Sequence, residues 1–404
     1  MTASPGAFSP DAVARAAALA DRDRHAQETR RRLTDDVVQA VTDAGFPRHF
    51  VPRRFGGRAG TFGELLTAAT MLARTCAATA WCATLYAAHG RLASYLPEQG
   101  QRELWHSSPD ARIAAAIVPP SGEANAEPDG WRLTGRWGFA SGVDHADWVL
   151  LGSRTPGRND PERHRLFAVP RHEVTVTDTW HTLGMRGTGS NTVEAQGVLV
   201  PAHRTCTLAD LLRPRPGSAR CHTVPYAMVG ALMFALPVLG AAQGALDAWT
   251  HAAAGRQRTT PPSASHALTV TRAAAHIRAA GLLLGEAADR ADRAPVTPLL
   301  VAEGQRDAAV AVELCSEAVD QLLRASRTRG QAEGDPVQRH WRDITTAAAH
   351  ATLSVDAAAN AYTPTLFGSA DAATGAGPAA EPRGSAGSPG GTAATAPGTE
   401  RRTA

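Results

Sequence analysis

The chain predicts a mostly helical α+β protein with a helical N-terminal domain, a middle domain of antiparallel strands and a C-terminal helical bundle. Three observations carry this expectation. Apolar residues recur at helical spacing before about residue 111 and again after about 209. Between them lie short runs of β-branched or alternating residues, punctuated by Gly, Pro and Asp. Strands and helices do not alternate, which argues against βαβ units and a parallel sheet. The expected divisions are 1–111, 112–208, 209–367 and a tail at 368–404; 404 residues suit two or three domains.

Ser9-Pro10-Asp11 places a cap residue before a proline, a common helix start. Thr61-Phe62-Gly63-Glu64 has capping-box spacing and opens a helical stretch to Cys76. A third helix, about Thr79 to Leu96, sets Trp81, Leu85, His89 and Leu92 on one face. Strands are expected at Ile113–Val118, Trp131–Phe139, Trp148–Gly152, Arg165–Val169, Val174–Trp180 and Thr192–Val200. Val312, Cys315, Val319 and Leu322 then repeat at three-four-three spacing, the seam of a packed bundle. A last helix is expected over about Val337–Tyr362. After Phe367 there is no Leu, Ile, Val, Met or aromatic residue, so the tail has too little apolar surface to order itself.

Composition narrows the chemistry. With 43% hydrophobic residues the chain can bury a large core, and a net charge of +3 with no basic run gives no footprint for nucleic acid. All 41 basic residues are arginine, so Schiff-base catalysis and a lysine-bearing phosphate loop are excluded. Cys76, Cys82, Cys206, Cys221 and Cys315 show neither CxxC pairing nor metal-ligand spacing, which fits a reduced, cytoplasmic protein without a disulfide framework. The N-terminus has no basic start or apolar stretch of the signal-peptide kind. Val224–Leu246 has no charged residue and is long enough to span a bilayer, yet it carries Pro237, Gln243, Gly230, Gly240 and Gly244 amid charged amphipathic helices. It reads as the buried central helix of a bundle and not as a membrane span.

Three runs bear on function. The first is Gly135-Arg136-Trp137-Gly138-Phe139-Ala140-Ser141-Gly142-Val143-Asp144-His145-Ala146-Asp147-Trp148. The second is Trp180-His181-Thr182-Leu183-Gly184-Met185-Arg186-Gly187-Thr188-Gly189-Ser190, and the third Gln338-Arg339-His340-Trp341-Arg342-Asp343-Ile344, followed by His350. In this order they resemble the oxygenase components of two-component flavin monooxygenases of the acyl-CoA dehydrogenase fold. The phenol- and hydroxyphenylacetate-hydroxylase type is nearest, with natural-product hydroxylases and N-hydroxylases as cousins. The resemblance runs from about Asp21 to Gly368.

That resemblance implies a C-terminal four-helix bundle, a homotetramer, and reduced FMN or FAD delivered by a separate NAD(P)H:flavin reductase. Dioxygen is then captured as a C4a-(hydro)peroxyflavin that hydroxylates a small, aromatic or phenolic substrate, in the setting of secondary metabolism. It also places Ser141 beside flavin N5, where a hydroxyl able to donate or accept would slow loss of the N5 proton. A plain turn residue after a strand is the bland reading of Ser-Gly. On a continuous last helix, His350 shares a face with Asp343, Thr346 and Ser354, opposite Ile344, Ala348, Ala351 and Val355. The resemblance turns that face toward the flavin and its oxygen adduct, where an imidazole can hold a proton; a solvated helix face is the alternative.

His89 reads either as a satisfied core histidine or, by resemblance, as a residue of the substrate pocket. Trp137 and Phe139 are candidates to pack on the isoalloxazine, although strand aromatics are often just core. Val118 and Pro119, opening the stretch to Gly122, correspond to the fold's flavin-contacting loop. Arg256 and Arg258 resemble arginines that reach a neighbouring subunit's flavin phosphate, a match for their forked donors.

The run Gly184 to Gly189 lies among strands and opens no helix, so it fails the dinucleotide-binding context. Reduced flavin must then come from elsewhere. Three rival readings stay open: an N-hydroxylase on the same scaffold, an acyl-thioester dehydrogenase with tightly bound FAD, and a non-catalytic relative. In acyl-CoA dehydrogenases a glutamate, often near the end of the last bundle helix, is the base; here no glutamate occurs from Val337 through Ala380, and Glu313 or Glu317 on an earlier bundle helix stays open as a substitute.

Overall fold

In the computed structural model the described residues are 8–156, 163–213, 217–257 and 264–374, with backbone alone for 255–257 and 369–374. The N-terminal region folds into α1 (Pro10–Arg22), α2 (Arg24–Arg30), α3 (Asp35–Ala44), α4 (Phe62–Ala73), α5 (Ala77–Ala93) and α6 (Glu98–Leu104). Ser9 Oγ accepts the Ala12 N–H at the head of α1, and Thr61 and Glu64 form a reciprocal capping box on α4. Every residue of α5 is buried, so this helix is a shared wall between domains.

The middle region contains β1 (Ile113–Ala116), β2 (Glu123–Glu127), β3 (Gly130–Ala140), β4 (Trp148–Arg154), β5 (His164–Pro170), β6 (Thr175–Thr177), β7 (Asn191–Pro201) and β8 (Thr205–Thr207). They form one sheet in the order β6-β7-β3-β2-β4-β5-β8, with β1 alongside β4. Most pairs are antiparallel, but β1 runs parallel to β4. β2 and β8 were not expected. The first reads Glu-Ala-Asn-Ala-Glu, poor in strand formers, and becomes a strand through its pairing with β3. The expected strand Val174–Trp180 contracts to β6, beyond which the chain turns toward the bundle.

The C-terminal region comprises α7 (Leu208–Leu212), α8 (Arg220–Thr223), α9 (Tyr226–Gln257), α10 (Ala264–Arg293), α11 (Pro298–Ser326), α12 (Pro336–Ala348) and α13 (Val355–Thr374). Helix α9 packs against α4, α5, α10, α11 and α12. Its stretch Tyr226–Ala254 is long and apolar enough to cross a membrane, but the most apolar window is 83% buried inside the protein. Gly240 and Gly244 allow that packing: a Cβ on Gly244 would lie 2.2 Å from the Arg74 carbonyl oxygen. Val312, Cys315, Val319 and Leu322 are all buried on α11, and all five cysteines are buried.

Two expectations about the C-terminus are corrected. The last helix is not continuous: α12 ends at Ala348, a 3-10 turn spans Ala351–Leu353, and α13 begins at Val355. The alanine-rich stretch favours helix throughout. His350 and Ser354 instead take extended backbone, and each side chain caps the turn or helix that follows it. Residues 368–374, expected in the tail, continue α13; the remainder of the tail lies outside the described residues.

Candidate active site

Ser141 owes its position to an irregular end of β3. The register against β7 shifts between Trp137 and Ala140, and Phe139 takes a left-handed φ of 64°. For a bulky residue that conformation costs on the order of 1 kcal/mol or more. The surroundings hold it: Ser141 N donates to Phe139 O at 3.0 Å, and Gly142 N donates to Thr188 O at 2.8 Å. The Tyr86 hydroxyl donates to Gly142 O at 2.8 Å, and a Cβ on Gly142 would meet that same hydroxyl.

The irregularity separates two rings that a regular strand would put on one face. Trp137 is 2% exposed in the sheet core and donates Nε1–H to Gly152 O at 2.8 Å. It therefore does not offer a face to a cofactor, contrary to expectation; burial of a large ring with its N–H satisfied is the lower-energy placement. It instead supports the Val118–Gly122 loop, since a Cβ on Gly122 would lie 2.7 Å from the Trp137 ring. Phe139 turns outward, 77% exposed, edge-on to Trp180 at 6.2 Å, and Val118 is 66% exposed. Both are among the large apolar side chains that the single chain leaves exposed.

Ser141 itself is buried, and its Oγ accepts Trp81 Nε1–H at 3.1 Å. On its other side Ser141 Oγ lies 2.7 Å from Ser190 Oγ, which lies 2.7 Å from Thr188 Oγ1. Thr188 Oγ1 donates to Met185 O at 2.9 Å. Met185, also at left-handed φ, donates its N–H to the buried Asp343 carboxylate at 2.6 Å. Burial pushes Asp343 up to about 6, while the Met185 N–H pulls the other way. Gly184 closes this junction between sheet and bundle: a Cβ there would sit 2.1 Å from Arg342 O.

His350 meets the same Trp81. Its ring lies 5.9 Å from Trp81, edge to face, and stacks on Phe234 of α9 at 4.0 Å with a 25° tilt. Thr352 N donates to His350 Nδ1 at 3.3 Å, so the neutral ring carries its proton on Nε2. Burial pulls the imidazole down to about 4, leaving it neutral near pH 7. Ser141 and His350 are thus joined through one indole, whereas the expected helical stripe with Thr346 and Ser354 does not form. Thr346 instead accepts the Gly184 N–H.

His89 lies two turns along α5 from Trp81. It is buried and donates Nδ1–H to Ile113 O at 2.7 Å, a bond from helical wall to sheet. Burial lowers it to about 4. Pro119 lies in the Val118–Gly122 loop, pinned by Ser121 N to Gly152 O at 2.9 Å and Ser121 Oγ to Arg136 O at 2.8 Å. Arg256 is in the last turn of α9 with its side chain outside the description, and Arg258 lies outside the described residues.

Sequence reasoning missed Trp81 as the common neighbour, Phe234, Trp180 and the Thr188–Ser190 pair. Only Ser190 carried a legible signal, as a hydroxyl at the end of the glycine-rich run.

The groups gathered here suit a flavin: an exposed phenylalanine and valine for a planar ring, a hydroxyl with unused capacity and a histidine whose Nδ1 is bonded while its proton sits on Nε2. The three-part architecture and these groups are those of an acyl-CoA dehydrogenase-fold flavoprotein, and comparison with known proteins gives the family. The family model described as acyl-CoA dehydrogenase, C-terminal domain, matches residues 232–355. The oxygenase component of the FADH2-dependent resorcinol hydroxylase of Rhizobium sp. (strain MTP-10005) is 32% identical over 385 residues, covering 85% of this chain and 91% of that protein. The flavin-dependent monooxygenase oxygenase subunit HsaA of Rhodococcus jostii (strain RHA1) is 30% identical over 348 residues, covering 81% and 90%. Among solved structures, XiaF from Streptomyces sp. in complex with FADH2 and glycerol superposes with a TM-score of 0.82 at 28% identity, covering 89% of this chain and 94% of that one. The chain belongs to the family of oxygenase components of two-component flavin-dependent monooxygenases. It is an enzyme that uses reduced flavin and dioxygen, with a small substrate and a separate flavin reductase as partners.

Proposed function

We propose that the protein hydroxylates a small phenolic or otherwise aromatic compound in the cytoplasm, working as a homotetramer. The single observation that carries the reading is Ser141, a buried hydroxyl bordered by the outward Phe139 and joined through Trp81 to His350. Bound reduced flavin supplies the electrons and the carbon centre at which dioxygen is activated. Phe139 and Val118 would hold the ring by apolar contact, with the Val118–Pro119 loop along its edge. Ser141 Oγ would hold the ring at N5. Trp81, Phe234 and Trp180 exclude water around that point, which strengthens every polar contact inside. His350 directs Nε2–H away from its Nδ1 bond, and as a neutral donor it can hold or pass a proton at the reacting oxygen.

His89 has Nδ1–H committed to Ile113, so its neutral ring keeps an acceptor at Nε2. That is the polarity a phenol O–H requires, and we assign it to the substrate side. The phosphate end would fall to Arg256 and Arg258 across a subunit boundary. Relatives named for resorcinol, p-hydroxyphenylacetate and indole-3-acetate support the aromatic class.

The test supplies the full chain with NADH, a flavin reductase and a phenol panel including resorcinol and p-hydroxyphenylacetate. Oxygen-dependent hydroxylation is expected, with no NADH oxidation by the chain alone. Anaerobic bleaching of added oxidised flavin by a saturated acyl-CoA would overturn the reading in favour of a dehydrogenase.

A further inference from the structure

The hydroxyls beside Ser141 form a row whose proton directions are dictated by counting. Thr188 Oγ1 has one hydrogen, and the Met185 carbonyl 2.9 Å away can only accept. With that hydrogen used, Thr188 Oγ1 must accept from Ser190 across their 2.7 Å contact. Ser190 has then used its own hydrogen, so it accepts from Ser141 across 2.7 Å. At the other end Trp81 Nε1 can only donate, and it occupies one lone pair of Ser141 Oγ at 3.1 Å. This is the one assignment in which all four contacts are hydrogen bonds. It leaves Ser141 with its proton committed and a single lone pair open.

We propose that Ser190 and Thr188 are positioning residues that fix the Ser141 hydroxyl as a hydrogen-bond acceptor, so that the site recognises a flavin by the hydrogen on N5. The inference rests on the flavin placement proposed above and deepens it. Reduced flavin carries N5–H and matches the open lone pair. Oxidised flavin presents an N5 lone pair, so for it Ser141 must either face another acceptor or turn its proton away from Ser190 and break the row. At the far end the Met185 carbonyl shares its two lone pairs among three donors, Thr188 Oγ1–H, Trp180 Nε1–H at 2.9 Å and Thr188 N–H at 3.1 Å, and Asp343 holds its position through the Met185 N–H. None of these groups needs to touch the flavin. They act through the orientation of one O–H bond.

The test uses the full chain, with FMN and FAD in turn as probes, each oxidised and each reduced by dithionite without oxygen. Equilibrium binding gives the ratio of oxidised to reduced Kd for wild type, Ser141→Ala, Ser190→Ala, Ser190→Thr, Thr188→Val and Thr188→Ser. One neutral hydrogen bond corresponds to about threefold to tenfold in affinity, so that ratio should fall by this amount in Ser190→Ala and Thr188→Val. It should return toward the wild-type value in Ser190→Thr and Thr188→Ser, which restore the hydroxyls. The 15N resonance of N5-labelled reduced flavin should also move in Ser190→Ala, a change that loss of packing alone does not require. If Ser141→Ala lowers the ratio while both Ser190→Ala and Thr188→Val keep it, the row has no directing role and the flavin placement stands. If Ser141→Ala itself keeps the wild-type ratio, the placement fails and the inference falls with it. Should Ser190→Ala fail to fold, Thr188→Val, one hydroxyl further from the ligand, decides the question by the same measurement.

Discussion

Ser141 closes a strand and meets two side chains, at 3.1 and 2.7 Å, whereas His350 occupies a break between helices with one backbone donor at 3.3 Å and a stacked phenylalanine. The serine is fixed by hydrogen bonds that come from two separate stretches of chain. The histidine is fixed chiefly by ring packing, and its low proton affinity comes from burial alone. A group whose task is to present a constant lone pair is best held by a directional network. A group that passes a proton needs one nitrogen left uncommitted, which stacking and a single bond on the other nitrogen provide.

The comparison breaks most visibly at His350. His350→Ala should lower product yield by more than about tenfold, well within the roughly hundredfold or more that acid–base groups contribute, while the protein still binds reduced flavin. His350→Gln, which keeps an N–H donor of similar reach, should recover part of that loss if donation is the main contribution. Product formed per NADH consumed is the measurement, and wild-type yield in His350→Ala would assign that face to packing alone.

On the serine side, Ser141→Ala should retain flavin binding within about tenfold, since it loses one neutral hydrogen bond. It should divert more of the consumed oxygen to hydrogen peroxide. Catalase-sensitive peroxide counted against product checks this, and an unchanged ratio would separate Ser141 from the chemistry.

Acid sharpens the contrast through stability. His49, His89 and His350 are each pulled down to about 4 and His340 to about 3 by burial, from an ordinary value of 6.5. Between pH 6.5 and 4 the unfolded chain therefore binds more protons than the folded one, and stability falls as pH falls. Asp343, raised to about 6, acts in the opposite sense, as do Asp144 and Asp292, which burial also raises, but the four histidines outnumber these three carboxyls. The thermal midpoint should drop from pH 7.5 to pH 5, and His340→Gln should flatten that slope. A midpoint independent of pH across this window would mean that these rings are not neutral by burial.

The smallest effect concerns the tail. Truncation after Thr374 removes no Leu, Ile, Val, Met or aromatic residue, so the thermal midpoint should stay unchanged. A stable truncated protein that nonetheless released more peroxide would show that the tail covers the flavin.

Much of this molecule was set locally and could be read from the chain. The caps at Ser9 and Thr61, the apolar α9 and the seam at Val312, Cys315, Val319 and Leu322 follow from neighbours within a few turns. The run containing Ser141 and the histidine after α12 were legible as motifs in the same way. Tertiary structure alone decided what those residues present to a ligand. Trp137 and Phe139 differ by two positions, yet one register shift and one left-handed residue send the first into the core and the second to the surface. The helix break at His350 has a local signal in Ser354, but the surrounding alanines conceal it, and the Phe234 stack appears only once α9 is in place. The direction of the Ser141 proton is the most remote property of all. It depends on Trp81, Ser190, Thr188 and Met185, from α5 and the segment before β7, and no pattern in the sequence links them. Hydrogen-bond polarity is settled by what is near in space, and a chain reveals directly only what is near in sequence.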